Sequence, residues 1–124
     1  MKFEDYYYKV YSMHTDWTDT MSLHVGFLPE CDIFRGHFPG RPVCPGACNL
    51  QLIKDVAQRL TGHKLLVSAI RQCRFTALAT PEACPEVDVQ VDIIGRTEAG
   101  YSITARISDE RQSYVEFKGD MTIV

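Results

Sequence analysis

The chain has 124 residues, 45% of them hydrophobic and 23% charged, and a net charge of −3. That length holds about one domain with its own core, and mild acidity argues against nucleic acid as a partner, because nonspecific phosphate binding rests on many Lys and Arg contacts. No stretch approaches the roughly 18–20 apolar residues of a membrane-spanning helix, and Met1 to Tyr11 lacks the apolar core of a signal peptide, so a cytoplasmic protein is expected.

Taken in order, Tyr6 to His14 is rich in Tyr and Val and reads as a strand. Thr18 to Leu28 is a second strand, with Met21, Leu23, Val25 and Phe27 recurring at period two on one face. The polar residues between them suit a hairpin turn. Pro29 to Pro45 is a loop dense in Gly and Pro. Gly46 to Leu60 is the one convincing helix: Cys48, Leu52, Val56 and Leu60 recur every four residues, with Ile53 and Ala57 beside them. Pro45 precedes its first turn and Gly62 follows its last. Everything later reads as strand: Leu65 to Leu78, Val87 to Gly95, Tyr101 to Ser108 and Ser113 to Val124. Val87, Val89, Val91 and Ile93 alternate with Asp88, Gln90 and Asp92. The stretches 98–100 and 109–111 are short enough to be hairpin turns. One helix against a long antiparallel sheet is an α+β architecture, and a sheet curled around the helix would bury its apolar stripe most completely.

The five cysteines, Cys31, Cys44, Cys48, Cys73 and Cys84, are expected as reduced thiols and mostly as small buried apolar groups. Cys44 and Cys48 stand four apart, but no second Cys or His pair has zinc-site spacing, so neither a metal nor a cofactor is expected.

The segment 34–57, FRGHFPGRPVCPGACNLQLIKDVA, resembles the central signature of the bacterial 3-hydroxyacyl-[acyl carrier protein] dehydratases. The core of the likeness is GHFPGRPV-x-PG running into a helix. The stretch 70–81, IRQCRFTALATP, is similar to the family's strand after that helix. The resemblance implies a hotdog fold, in which the sheet wraps a single central helix over residues 1–124. It also implies two subunits joined edge to edge, as a homodimer or as a heterodimer with another hotdog chain, with the acyl tunnel along their interface. The substrate would be a (3R)-3-hydroxyacyl thioester on acyl carrier protein or coenzyme A, and the products a trans-2-enoyl thioester and water, in the synthesis of fatty acids or related lipids and polyenes.

Such a dehydration needs a base for the α-proton, an acid for the leaving hydroxyl, and donors for the thioester oxygen. By resemblance the motif histidine, His37, carries the proton chemistry, for which imidazole suits because it titrates near neutrality. His14, His24 and His63 are expected to be structural. The first-turn N–H groups of a helix have no intrahelical partner, and Gly46, without a side chain, lets a carbonyl approach them; by resemblance its N–H is the oxyanion donor. Phe38 and Val43 would border the substrate on the same ground. The family's carboxylate lies fourteen residues after the histidine, and here that residue is Gln51, which cannot deliver a proton as a carboxylic acid does. Asp55 projects from the same helix face and is the alternative acid, unless it is a solvated residue paired with Arg59. Acyl carrier protein is acidic, so Arg35, Arg41, Arg71 and Arg74 are the docking candidates. Beside a dehydratase with a relocated acid stand two other readings: a catalytically silent acyl-binding or partner subunit, and, ranked last, a thioesterase.

Overall fold

The computed structural model describes residues 3–36, 44–77 and 79–124, with residues 35 and 36 given by their backbone alone. Its elements are β1 (Tyr8–Asp16), β2 (Thr20–Phe27), α1 (Asp32–Gly36), α2 (Gly46–Thr61), β3 (Leu65–Phe75), β4 (Glu86–Arg96), β5 (Gly100–Ser108) and β6 (Ser113–Ile123). The six strands form one antiparallel sheet in the order β1-β2-β4-β5-β6-β3. Hairpins make β1–β2, β4–β5 and β5–β6 neighbours, whereas α2 and β3 are spliced between β2 and β4. β3 therefore crosses to the far edge, beside β6.

The sheet curls around α2, which packs on β2, β4 and β3. The period-two faces read from the sequence are the inner faces: Leu23, Val25, Val89 and Val91 are fully buried against Leu52, Ile53, Val56 and Ala57 of the helix. Burying a side chain of this size stabilises by about 1.5–3 kcal/mol. The helix stops where expected, with Gly62 in the left-handed region at φ 73° and its N–H donating to the Gln58 carbonyl at 2.9 Å.

Two local expectations are corrected. The segment Pro29 to Pro45 contains a helix, α1, rather than loop alone. Five residues are too few to show helical periodicity; what seats the turn is the buried Phe34, stacked on Tyr7 at 5.1 Å and edge-on to Phe27 at 6.2 Å. The first strand starts at Tyr8, not Tyr6, because the N–H groups of Tyr6 and Tyr7 both donate to the Phe3 carbonyl in a tight turn, with Asp5 at φ 66°. Among the remaining boundaries β3 ends at Phe75 against the expected Leu78, and the others agree to within two residues.

Candidate active site

α2 begins at the end of the Gly/Pro-rich segment. Pro45 stands ahead of it in extended conformation and supplies no side-chain cap; its carbonyl accepts the Asn49 N–H at 3.1 Å. Proline suits this place, since its fixed φ is preorganised for a helix start. Gly46 opens the helix against the ring of Phe75, the last residue of β3. One turn on, Asn49 is the buried polar residue of the helix, 2% exposed. It accepts a hydrogen bond at 2.9 Å from the hydroxyl of Tyr7, which is itself buried among aromatic rings. Burial, and then the neighbouring Cys44, push the Tyr7 phenol far above its ordinary value, so it remains a donor. The bond ties the N-terminal turn to the second turn of α2.

On the opposite side of α2, Gln51 and Asp55 line one open groove of about 570 Å³ together with Tyr8 and Lys54. Gln51 Nε2 donates to Asp55 Oδ1 at 2.9 Å, and the Tyr8 hydroxyl donates to Asp55 Oδ2 at 2.9 Å. Tyr8 is only 1% exposed; burial, and then the Asp55 charge, raise its phenol well above the usual value and keep its proton in place. Arg59 pairs with Glu4 rather than with Asp55. Asp55 is therefore not the solvated half of an Arg59 pair. It is a carboxylate oriented on both oxygens by neutral donors, with a lone pair on each left for a proton, a substrate hydroxyl or a water.

Of the residues singled out in the sequence, α2 carries Gly46, Gln51 and Asp55. At 1.5 Å rise per residue, Asp55 lies about 6 Å farther along the axis from Gly46 than Gln51 does. His37, Phe38, Arg41 and Val43 lie outside the described residues, as does the Arg35 side chain. Arg71 and Arg74 are exposed on β3. Arg71 donates to Asp120 at 2.8 Å, which holds that carboxyl below its usual range, while Arg74 stands opposite Glu116 on β6. Tyr7, Tyr8 and Asn49 were not singled out. Within the run Tyr6-Tyr7-Tyr8 no pattern tells which ring faces the helix, and their partners stand more than 40 residues away. The thiols behave as expected for buried groups: burial pushes Cys44 up to about 12 and raises Cys84 as well.

A six-stranded antiparallel sheet curled around one long helix is a hotdog fold. The model of the ApeI-like family, described as ApeI dehydratase, matches residues 13–118, and the chain belongs to that family. No curated protein matches the sequence. Among solved structures, "The Dehydratase Heterocomplex ApeI:P from Xenorhabdus doucetiae" is similar at 20% identity and TM-score 0.77, over 92% of this chain and 96% of that one. The E. coli PaaI protein from the phenylacetic acid degradation operon is similar at 13% identity and TM-score 0.66, over 97% and 81%. A putative thioesterase, yhdA, from Lactococcus lactis is similar at 10% identity and TM-score 0.67, over 97% and 94%. At these identities the three structures speak to the fold.

Proposed function

We propose that this chain dehydrates (3R)-3-hydroxyacyl thioesters carried on acyl carrier protein, with His37 as the base and Asp55 in place of the carboxylate that Gln51 lacks. The observation that carries the reading is the hydrogen bond from Gln51 to Asp55, with Tyr8 on the second oxygen. It sets a carboxylate one hydrogen bond away from the amide that fills the family's acid position.

In this reaction the thioester oxygen sits on the Gly46 N–H, where the helix dipole stabilises developing negative charge. His37 removes the α-proton, and its electrons move into the Cα–C(carbonyl) bond as an enolate. The enolate then expels the 3-hydroxyl, which leaves as water with a proton from the Asp55 carboxyl, and a trans-2-enoyl thioester remains. The roughly 6 Å rise between positions 51 and 55 is spanned by the side chains themselves, since the Gln51 amide donates directly to Asp55 Oδ1 and orients that carboxyl. Phe38 and Val43 border the acyl chain. Arg35, Arg41 and Arg74 meet the acidic carrier protein, joined by Arg71 once Asp120 releases it. The site works in the cytoplasm.

A second reading makes the chain one half of a mixed pair, whose partner supplies the carboxylate. Two observations favour it: the similar Xenorhabdus protein is a dehydratase heterocomplex, and the β3 edge leaves Leu66, Ile70 and Phe75 more than half exposed. Apolar side chains on a strand with one free edge invite another strand. The test is enoyl formation from a 3-hydroxyacyl carrier-protein thioester by the purified chain, with His37→Ala as control. Turnover abolished by His37→Ala supports the first reading. Turnover only after a second hotdog chain is added supports the other.

A further inference from the structure

The N-terminal turn meets α2 at Asp55 and again at Arg59, one helical turn further on. The turn is tied by its own backbone: the Asp5 N–H donates to the Tyr8 carbonyl at 2.7 Å, and the Tyr6 and Tyr7 N–H groups donate to Phe3. Tyr8 is buried and starts β1 opposite Phe27, so the hydroxyl that meets Asp55 Oδ2 comes from a fixed place. Gln51, the donor to Oδ1, is by contrast a half-buried side chain of the helix itself. Glu4 forms an isolated backbone bridge with Tyr8, and its Oε1 accepts from Arg59 Nη2 at 2.5 Å. Arg59 lines the same groove as Asp55 and stands four residues after it, the spacing at which an arginine reaches a carboxylate of its own helix. An arginine paired there favours the ionised carboxylate, which has no proton to give.

We propose that Glu4 and Tyr8 are positioning residues for Asp55: Glu4 withholds Arg59 from the carboxyl, and Tyr8 fixes its orientation. The inference rests on the reading of Asp55 as the acid. Without the Glu4 carboxylate, the Arg59 guanidinium is free to turn to the one carboxylate within its reach on the helix. Without the Tyr8 hydroxyl, Gln51 alone holds Asp55, and the carboxyl can rotate about its terminal torsion.

The test compares turnover of a (3R)-3-hydroxyacyl carrier-protein thioester by the parent, Glu4→Gln, Glu4→Gln with Arg59→Gln, and Tyr8→Phe. General acid assistance is large enough that Glu4→Gln should lower kcat about tenfold or more while KM stays within about twofold. Adding Arg59→Gln should restore kcat to within about threefold of the parent, whereas a merely structural Glu4–Arg59 pair leaves the double variant no better than the single one. Tyr8→Phe keeps the ring in place; it should lower kcat in the parent but have no further effect in an Asp55→Asn background. The same variants are read without turnover by the carboxyl carbon resonance of Asp55 in isotope-labelled protein, assigned by its loss in Asp55→Asn. It should move in Glu4→Gln and in Tyr8→Phe, and return when Arg59→Gln is added to Glu4→Gln. Undiminished kcat in Glu4→Gln, a double variant that stays slow, or a resonance that does not respond overturns the proposal. A parent without turnover whose resonance follows the expected pattern supports the placement of the carboxyl and counts against the dehydratase reading alone.

Discussion

His24 shows how much a single side chain depends on neighbours that are remote in sequence. Its Nε2 meets Glu86 Oε1 at 2.7 Å and its Nδ1 meets Asp88 Oδ1 at 2.8 Å, so one imidazole bridges two carboxylates of the adjacent strand. Asp88 first, then Glu86, raise its pKa above the ordinary 6.5. A raised folded-state value means that the bridge stabilises fully below the unfolded pKa and is lost as pH rises through the folded one. The pair of contacts is largely solvent-exposed, which limits it to about 0.2–1 kcal/mol. His24→Gln should therefore lower the melting temperature at pH 6 by a few degrees and leave it nearly unchanged at pH 9; equal losses at both pH values would contradict this. Asp55, by contrast, is identified by partners. Its spacing from Gln51 was legible as one helix face, but Tyr8 as its second partner was not, because β1 and α2 meet only in the folded chain.

At the scale of elements, the Tyr7–Asn49 bond is the internal latch that holds the N-terminal turn against α2. Tyr7→Phe leaves the Asn49 carbonyl oxygen buried without that donor, which costs about 1–3 kcal/mol. Denaturant unfolding should show a loss of that size, and Tyr7→Phe with Asn49→Leu together should lose less than the two single changes summed. A fully additive double variant would show that the two side chains do not interact. The strands and α2 were legible in the sequence because hydrophobic period survives in long elements: Val87 to Ile93 and Cys48 to Leu60 each repeat often enough to declare their type. α1 was not legible, since one short turn seated by Phe34 carries no period. Nor was the strand order. The same pattern is compatible with β3 in several places, and its position beside β6 is set by long-range pairing such as Leu65 opposite Ile123.

At the scale of the molecule, β1 and β3 are the two free edges of the sheet among the described residues. β3 carries exposed Leu66, Ile70 and Phe75, and the Phe75 ring packs against Gly46, so the proposed site and the proposed interface meet at one edge. Ile70→Lys should shift sedimentation from a dimer toward a monomer and lower activity in step; an unchanged sedimentation profile would exclude this edge as the interface. The motif 36–46 was read from the sequence, but residues 37–43 lie outside the described ones; Asp55 was named from the sequence as the alternative acid, and only the fold supplied its hydrogen bonds to Gln51 and Tyr8.

The central claim is that Asp55 replaces the missing carboxylate, and the most direct measurement is turnover of a (3R)-3-hydroxyacyl carrier-protein thioester by the parent, Asp55→Asn and Gln51→Glu side by side. General acid assistance is typically worth 10²–10⁴-fold, so the parent should turn over and Asp55→Asn should fall by about that factor with its fold intact. A silent parent, with activity appearing only in Gln51→Glu, would contradict the account and show a scaffold that awaits its carboxylate from another chain.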